Sequence, residues 1–166
     1  MVADAAEAAA AVRFAADYNG PMYIRLGRSG VPDVFDASYE FKFGKAVTLK
    51  EGTDVTLIGM GIMTAAAVEA AEMLAEEGIS AAVLNMPTVK PIDEDAIVAA
   101  AQATGAIVTC EEHSIVGGLG SAVAEVLAEK ASARLVRVGV KDTFGESGKP
   151  ADLLKKYGLT AADIVA

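Results

Sequence analysis

The sequence predicts an α/β domain built on a mostly parallel sheet with helices on both faces, preceded by the end of another domain. Three observations carry that expectation. Strand-type and helix-type segments alternate from Lys45 to the C-terminus, which implies right-handed crossovers between parallel strands. Hydrophobic residues make up 53% of the chain and aromatics only 5%, with no Trp. The apolar mass is therefore Ala, Val, Ile and Leu, which suits helices packed closely on a buried sheet. Finally, one alanine-rich helix and one short strand stand at the N-terminus with no partners of their own.

The first helix is expected over Asp4 to Tyr18. A short strand follows within the stretch Asn19 to Ser29 and releases an Arg-x-x-Arg pair, Arg25 and Arg28. Gly27 to Ala37 holds Gly27, Gly30 and Pro32 without periodicity and reads as a linker. Lys45 to Lys50 is a short polar-flanked strand, and Glu51-Gly52 turns it into the apolar strand Asp54 to Met60. From Ile62 the period becomes helical, with Ile62, Ala65, Ala66, Ala70, Met73 and Leu74 on one face. Glu72, Glu76 and Glu77 point away, and Gly78 is the stop.

Ser80 to Asn85 is a buried-type strand. Pro87 and Pro91 bracket a loop, after which Asp93 caps a helix whose first turn carries Glu94 and Asp95. Gly105 ends that helix, and Ala106 to Cys110 is the next strand. Gly117, Gly118 and Gly120 open a helix with Leu119, Ala122, Val123, Val126 and Leu127 inward. Leu135 to Val140 is the last strand. A glycine loop at Gly145 and Gly148, a helix over Ala151 to Tyr157 and a capping box at Thr160 and Asp163 complete the chain.

Charge and composition exclude several classes. A formal charge of −9 over 166 residues argues against nucleic acid, which needs clustered Lys and Arg to release counterions. It argues equally against anionic membranes. No apolar run reaches the roughly 20 residues of a membrane span, and Asp4 and Glu7 stand where a signal peptide would be basic. The single cysteine, Cys110, allows no internal disulfide and fits a reducing compartment. Its apolar neighbours make it a small core residue and not a nucleophile. A cytoplasmic location is the plain expectation.

No complete catalytic motif is present. Gly59-x-Gly61 lies between a strand and a helix, but the third glycine of a dinucleotide fingerprint is missing and the next strand ends at Asn85 instead of an acid. A tight helix–strand approach is the better reading. Glu111-Glu112-His113 ends a strand, where open α/β sheets often place functional groups. His113, the only histidine, has no fellow metal ligands in evidence and reads as a hydrogen-bonded loop or subunit-contact residue. Gly117-Gly118-Leu119-Gly120 at a helix start suits either close packing, which is favoured, or an anion on free N–H groups. Arg25 and Arg28 suit a phosphate or carboxylate, or a structural ion pair.

Several segments together resemble the C-terminal part of the transketolase-like, thiamine-diphosphate-dependent enzymes. They are Gly20-Pro21-Met22-Tyr23-Ile24-Arg25-Leu26-Gly27-Arg28, Val55-Thr56-Leu57-Ile58-Gly59-x-Gly61 and Pro87-Thr88-Val89-Lys90-Pro91-Ile92-Asp93. The series continues through Thr109-Cys110-Glu111-Glu112-His113-Ser114, Gly117-Gly118-Leu119-Gly120-Ser121 and Phe144-Gly145-Glu146-Ser147-Gly148. The resemblance is greatest to the separate C-terminal section of split transketolases. Similar domains end 1-deoxyxylulose-5-phosphate synthase and the beta subunits of 2-oxoacid dehydrogenases, and a free-standing interaction or regulatory module is a further alternative.

The resemblance implies that residues 1–30 are a remnant of a pyrimidine-binding domain, 31–39 a linker and 40–166 the transketolase C-terminal domain. It implies a three-layer α/β/α unit with a five-stranded sheet, one strand antiparallel. It implies ketol transfer between sugar phosphates in the complete enzyme, with thiamine diphosphate and Mg²⁺ held by regions outside this chain. No catalytic, cofactor-binding or metal residue is therefore expected here, and Arg28 takes the place of the family's substrate-phosphate contact. An N-terminal section is the implied partner and no activity is expected without it. The uncovered apolar face of the first helix adds a homo-oligomer to the expectation.

Overall fold

A computed structural model describes residues 1–166. The expected sheet is present. Its strands are β1 (Val47–Lys50), β2 (Val55–Gly59), β3 (Ala81–Asn85), β4 (Ala106–Ser114) and β5 (Arg134–Val140). They lie in the order β1-β3-β2-β4-β5. β2, β3, β4 and β5 pair in parallel, and β1 pairs antiparallel with β3. The helices are α1 (Ala5–Asp17), α2 (Met63–Glu76), α3 (Glu94–Thr104), α4 (Leu119–Lys130), α5 (Pro150–Lys156) and α6 (Ala161–Val165).

Alternation along the central strands divides the interior in two, because successive side chains point to opposite faces. Leu57 packs with Met63, Ala67, Ala70 and Ala71 of α2 and with Ile164 of α6. Its neighbour Ile58 packs on the other face with Ile97 of α3 and Leu119 and Val123 of α4. The face of α2 against the sheet is thus Met63, Ala67, Ala70, Ala71 and Leu74, about one residue round from the expected stripe. Ile62, Ala66 and Met73 pack at the margin of that core, so the apolar arc is wide enough to serve both sheet and α6.

Local signals explain the element ends. Asp93 caps α3 by accepting from Ala96 N–H at 3.3 Å, and Gly105 ends it in the left-handed region. Thr160 and Asp163 form the expected capping box. Two expectations change. β4 runs on past Cys110 to Ser114, with a register irregularity against β5. Residues 20–26 form no strand: a lone extended segment has no neighbouring ladder to take its N–H and C=O groups. No helix is long and apolar enough to cross a membrane.

Candidate functional site

The chain returns from β2 to β3 on one side of β2 and from β3 to β4 on the other, so the carboxyl ends of these strands bound a crevice. In open α/β sheets such a switch point is the usual place for a ligand. The close approach that the Gly59-x-Gly61 spacing suggests is real. A Cβ on Gly59 would stand 2.6 Å from Thr64 Cα, so only glycine lets α2 start this near β2.

The glycines at the start of α4 have a different use. Glu111, buried at the end of β4, turns its carboxylate into the helix. Leu119 N–H donates to Oε2 at 2.7 Å and Gly120 N–H donates to Oε1 at 2.8 Å. Side chain and helix dipole are therefore matched inside the protein. A Cβ on Gly118 would lie 1.9 Å from Glu111 Oε2, so close packing requires glycine there, and the Leu119 and Gly120 N–H groups are not free for an outside anion. The anion is the chain's own.

α1 sits at the same edge. Asp4 caps it, accepting from Glu7 N–H through Oδ1, while Oδ2 takes the N–H groups of Val34 and Phe35, each at 2.7 Å. Glu7 is fully buried. Its carboxylate accepts from Ala3 N–H at 2.7 Å, Tyr39 hydroxyl at 2.6 Å and Asn85 Nδ2 at 2.7 Å. Thr64 hydroxyl in turn donates to Asn85 Oδ1 at 2.9 Å. Burial raises the Glu7 carboxyl above its ordinary range, against the opposing pull of these donors. Burial and then Glu7 itself push the Tyr39 phenol up. The first helix, expected to lack a partner, buries Glu7 and Ala11 within the chain and leaves Val12 half exposed.

Between α1, residues 21–25 and the strand ends lies a cavity of about 370 Å³. Arg25 is at its margin and donates to the Glu112 carbonyl at 3.2 Å and to Met1 Sδ at 3.6 Å. Lys90, His113 and Thr88 also line it. His113 is exposed near the end of β4, with Nδ1 2.9 Å from the Ser114 carbonyl oxygen, so it is hydrogen-bonded as expected but sits on a strand and not in a loop. Arg28 lies outside this cavity, beside Gly27 and Glu112 at a neighbouring one. It is exposed and makes no ion pair or hydrogen bond. The structure thus separates two arginines that the sequence presents as a pair. Cys110 is fully buried, its thiol pushed up to about 12 by burial and the Glu111 charge. The burial of Glu7 against Asn85 escaped the sequence reading, since an acid on an alanine-rich helix looks like a solvent-facing one.

Residues 44–164 match the family described as transketolase, C-terminal domain. The chain belongs to that family. Over 162 residues it is 50% identical to the 6-deoxy-6-sulfo-D-fructose transketolase subunit of Clostridium sp. (strain MSTE9), covering 98% of this chain and 50% of that protein. Over 157 residues it is 43% identical to an apulose-4-phosphate transketolase subunit of Phocaeicola vulgatus (strain ATCC 8482), covering 94% of this chain and 50% of that protein. A solved structure described as a split gene transketolase, inactive beta4 tetramer, has a TM-score of 0.95 and 58% identity, covering 98% of this chain and 54% of that one. The chain spans about half the length of the curated relatives it matches.

The family implies thiamine diphosphate with Mg²⁺. Among the side chains of this transketolase C-terminal domain, no group of three His, Cys, Asp or Glu gathers where a metal ion would sit. The carboxylate nearest the crevice, Glu111, is already committed to two N–H groups of α4. These residues do not fit a magnesium diphosphate.

Proposed function

We infer that this chain is the C-terminal section of a transketolase, completed by an N-terminal section that carries the cofactor. The complete enzyme moves a two-carbon ketol unit between sugar phosphates. The observation that carries this reading is the end-to-end likeness to proteins named as transketolase subunits, at half their length. The solved neighbour, described as a split gene transketolase and an inactive beta4 tetramer, supports both the division and self-association of this section.

In that assembly the chain provides a rigid α/β body, an interface and one cationic anchor. Arg28 is the anchor for the substrate phosphate: its guanidinium is exposed and uncommitted, and a planar fork suits bidentate phosphate recognition. Arg25 takes no part in that contact, being tied to the Glu112 carbonyl. The cofactor, when bound elsewhere, supplies the electron sink.

The test is Arg28→Ala in the reconstituted enzyme. Losing a charge-assisted contact of about 1.5–3 kcal/mol raises KM for phosphorylated sugars roughly tenfold to a hundredfold, with kcat far less affected. An unchanged KM removes the phosphate role.

A further inference from the structure

We propose that Asn19-Gly20 is a modification site, where the chain converts its own asparagine to aspartate and isoaspartate and so loosens the end of α1. The sequence holds two asparagines, Asn19 and Asn85, and the structure places them in opposite settings. Asn85 is fully buried, its Nδ2 donating to Glu7 and its Oδ1 accepting from Thr64. The next amide along, Met86 N–H, is held by the Gly59 carbonyl at 2.9 Å. Asn19 is exposed just beyond the C-terminal end of α1, and no hydrogen bond of the chain engages its side chain. The residue after it is glycine, in exposed backbone that belongs to no helix or strand. Gly20 N–H reaches only the nearby Tyr18 carbonyl, at 3.2 Å.

The chemistry needs these two residues and water alone. The Gly20 backbone nitrogen attacks Asn19 Cγ as its proton passes to solvent. The N–Cγ bond forms, the Cγ–Nδ2 bond breaks, and ammonia departs with a proton taken from water. Water then adds at either carbonyl of the cyclic imide, and the ring opens to aspartate or to isoaspartate, in which the backbone runs through Cγ. Such an intramolecular step is governed by how readily the reacting atoms meet. An exposed asparagine side chain turns freely, and glycine has no Cβ to obstruct the approach. At Asn85 the same attack would break two side-chain hydrogen bonds and one backbone bond inside a close-packed interior. Asparagine is thermolabile as a residue type; here the fold decides which one reacts. Either product places a carboxylate at the C-terminal end of α1, whose last turn carries no basic residue, and a negative charge there opposes the helix dipole. Isoaspartate also inserts a backbone carbon directly ahead of the segment that bears Arg25 and Arg28.

The test is to age the full chain at mildly alkaline pH and physiological temperature, then digest it and map the peptides by mass spectrometry. Isoaspartate is read by methyl transfer from labelled S-adenosylmethionine with an isoaspartyl methyltransferase. The account predicts amide-to-acid conversion at Asn19, isoaspartate in excess over aspartate, and intact Asn85. Asn19→Gln loses both the mass gain and the methyl label. Gly20→Ala, whose methyl must displace the Tyr18 ring from 3.0 Å, slows them several-fold. In the aged chain, amide hydrogen exchange speeds up in the last turn of α1 and stays level in β2 and β4. Asn19 still intact when a free peptide of the same local sequence has fully converted overturns the proposal. So does conversion of Asn85 at a comparable rate, or aspartate formed without isoaspartate, which bypasses the Gly20 attack. Unchanged exchange at the end of α1 overturns the loosening.

Discussion

The α/β body and the first 43 residues are held by different physics. In the body, parallel ladders tie β2 to β3 and β4, and two apolar cores clamp the sheet between helices. The N-terminal segment has one helix and no strand. It is fastened to the body by polar bonds, Asn85 Nδ2 to Glu7, the Met1 ammonium to the Pro87 carbonyl and Arg25 to the Glu112 carbonyl. It is braced within itself by Asp4 on Val34 and Phe35 and by Phe14 against Phe41 and Phe43, at centroid distances of 5.5 and 5.4 Å. Burial of apolar surface is non-directional and additive, whereas a buried polar latch works only while every partner is in place. The body should therefore unfold as a unit, and the segment should be able to open alone.

Ile58→Ala strikes the body hardest. Ile58 is fully buried between α3 and α4, and removing it costs about 2–5 kcal/mol. Urea unfolding followed by circular dichroism should show one transition at lower midpoint, with the segment lost together with the body. Glu111→Ala comes next. It orphans two N–H groups at the start of α4 and should cost about 1.5–3 kcal/mol, with Glu111→Gln costing less because one acceptor remains.

The smallest effect, and the sharpest separation, comes from pH. The Glu7 carboxyl is raised by burial, so the folded state holds its proton more tightly than the unfolded. Its contribution is fully present below the ordinary Glu range and is lost as pH rises through the raised value. Asp93 in the body is the reverse. Burial there is outweighed by the Ala46 N–H, the Lys45 ammonium and the Ala96 N–H, which hold its carboxyl below the usual range. Its contribution is present above that range and lost as pH falls through the depressed value. Hydrogen-exchange protection, corrected for intrinsic rates, should therefore fall in α1 on going from mildly acidic to neutral pH. Protection at the start of α3 should stay level there and fall only in stronger acid. Glu7→Gln should flatten the first trend and leave the second.

The same contrast governs what could be read from the residues. Strand and helix positions in the body followed from periodicity and punctuation: the apolar run at Val55–Gly59, the cap Asp93 and the stop Gly105 all appear where expected. These are local signals. The antiparallel placement of β1 is not local: the family resemblance implied one antiparallel strand without saying which. The buried Glu7 was illegible because its partners Asn85 and Tyr39 lie 78 and 32 residues away. Glu111 was marked as a strand-end acid, but its turn into α4 depends on the bend of β4 after Cys110. Arg25 and Arg28 looked alike because spacing cannot say which of two guanidiniums finds the Glu112 carbonyl.

The central claim is that this chain supplies scaffold and anchor while the reactive coenzyme is held by a partner section. Ketol transfer between sugar phosphates, assayed with thiamine diphosphate and Mg²⁺ present, tests it most directly when the 166-residue chain is compared alone and together with its N-terminal section. The account predicts no turnover by the chain alone and turnover when the two are combined. Turnover by the chain alone would contradict it.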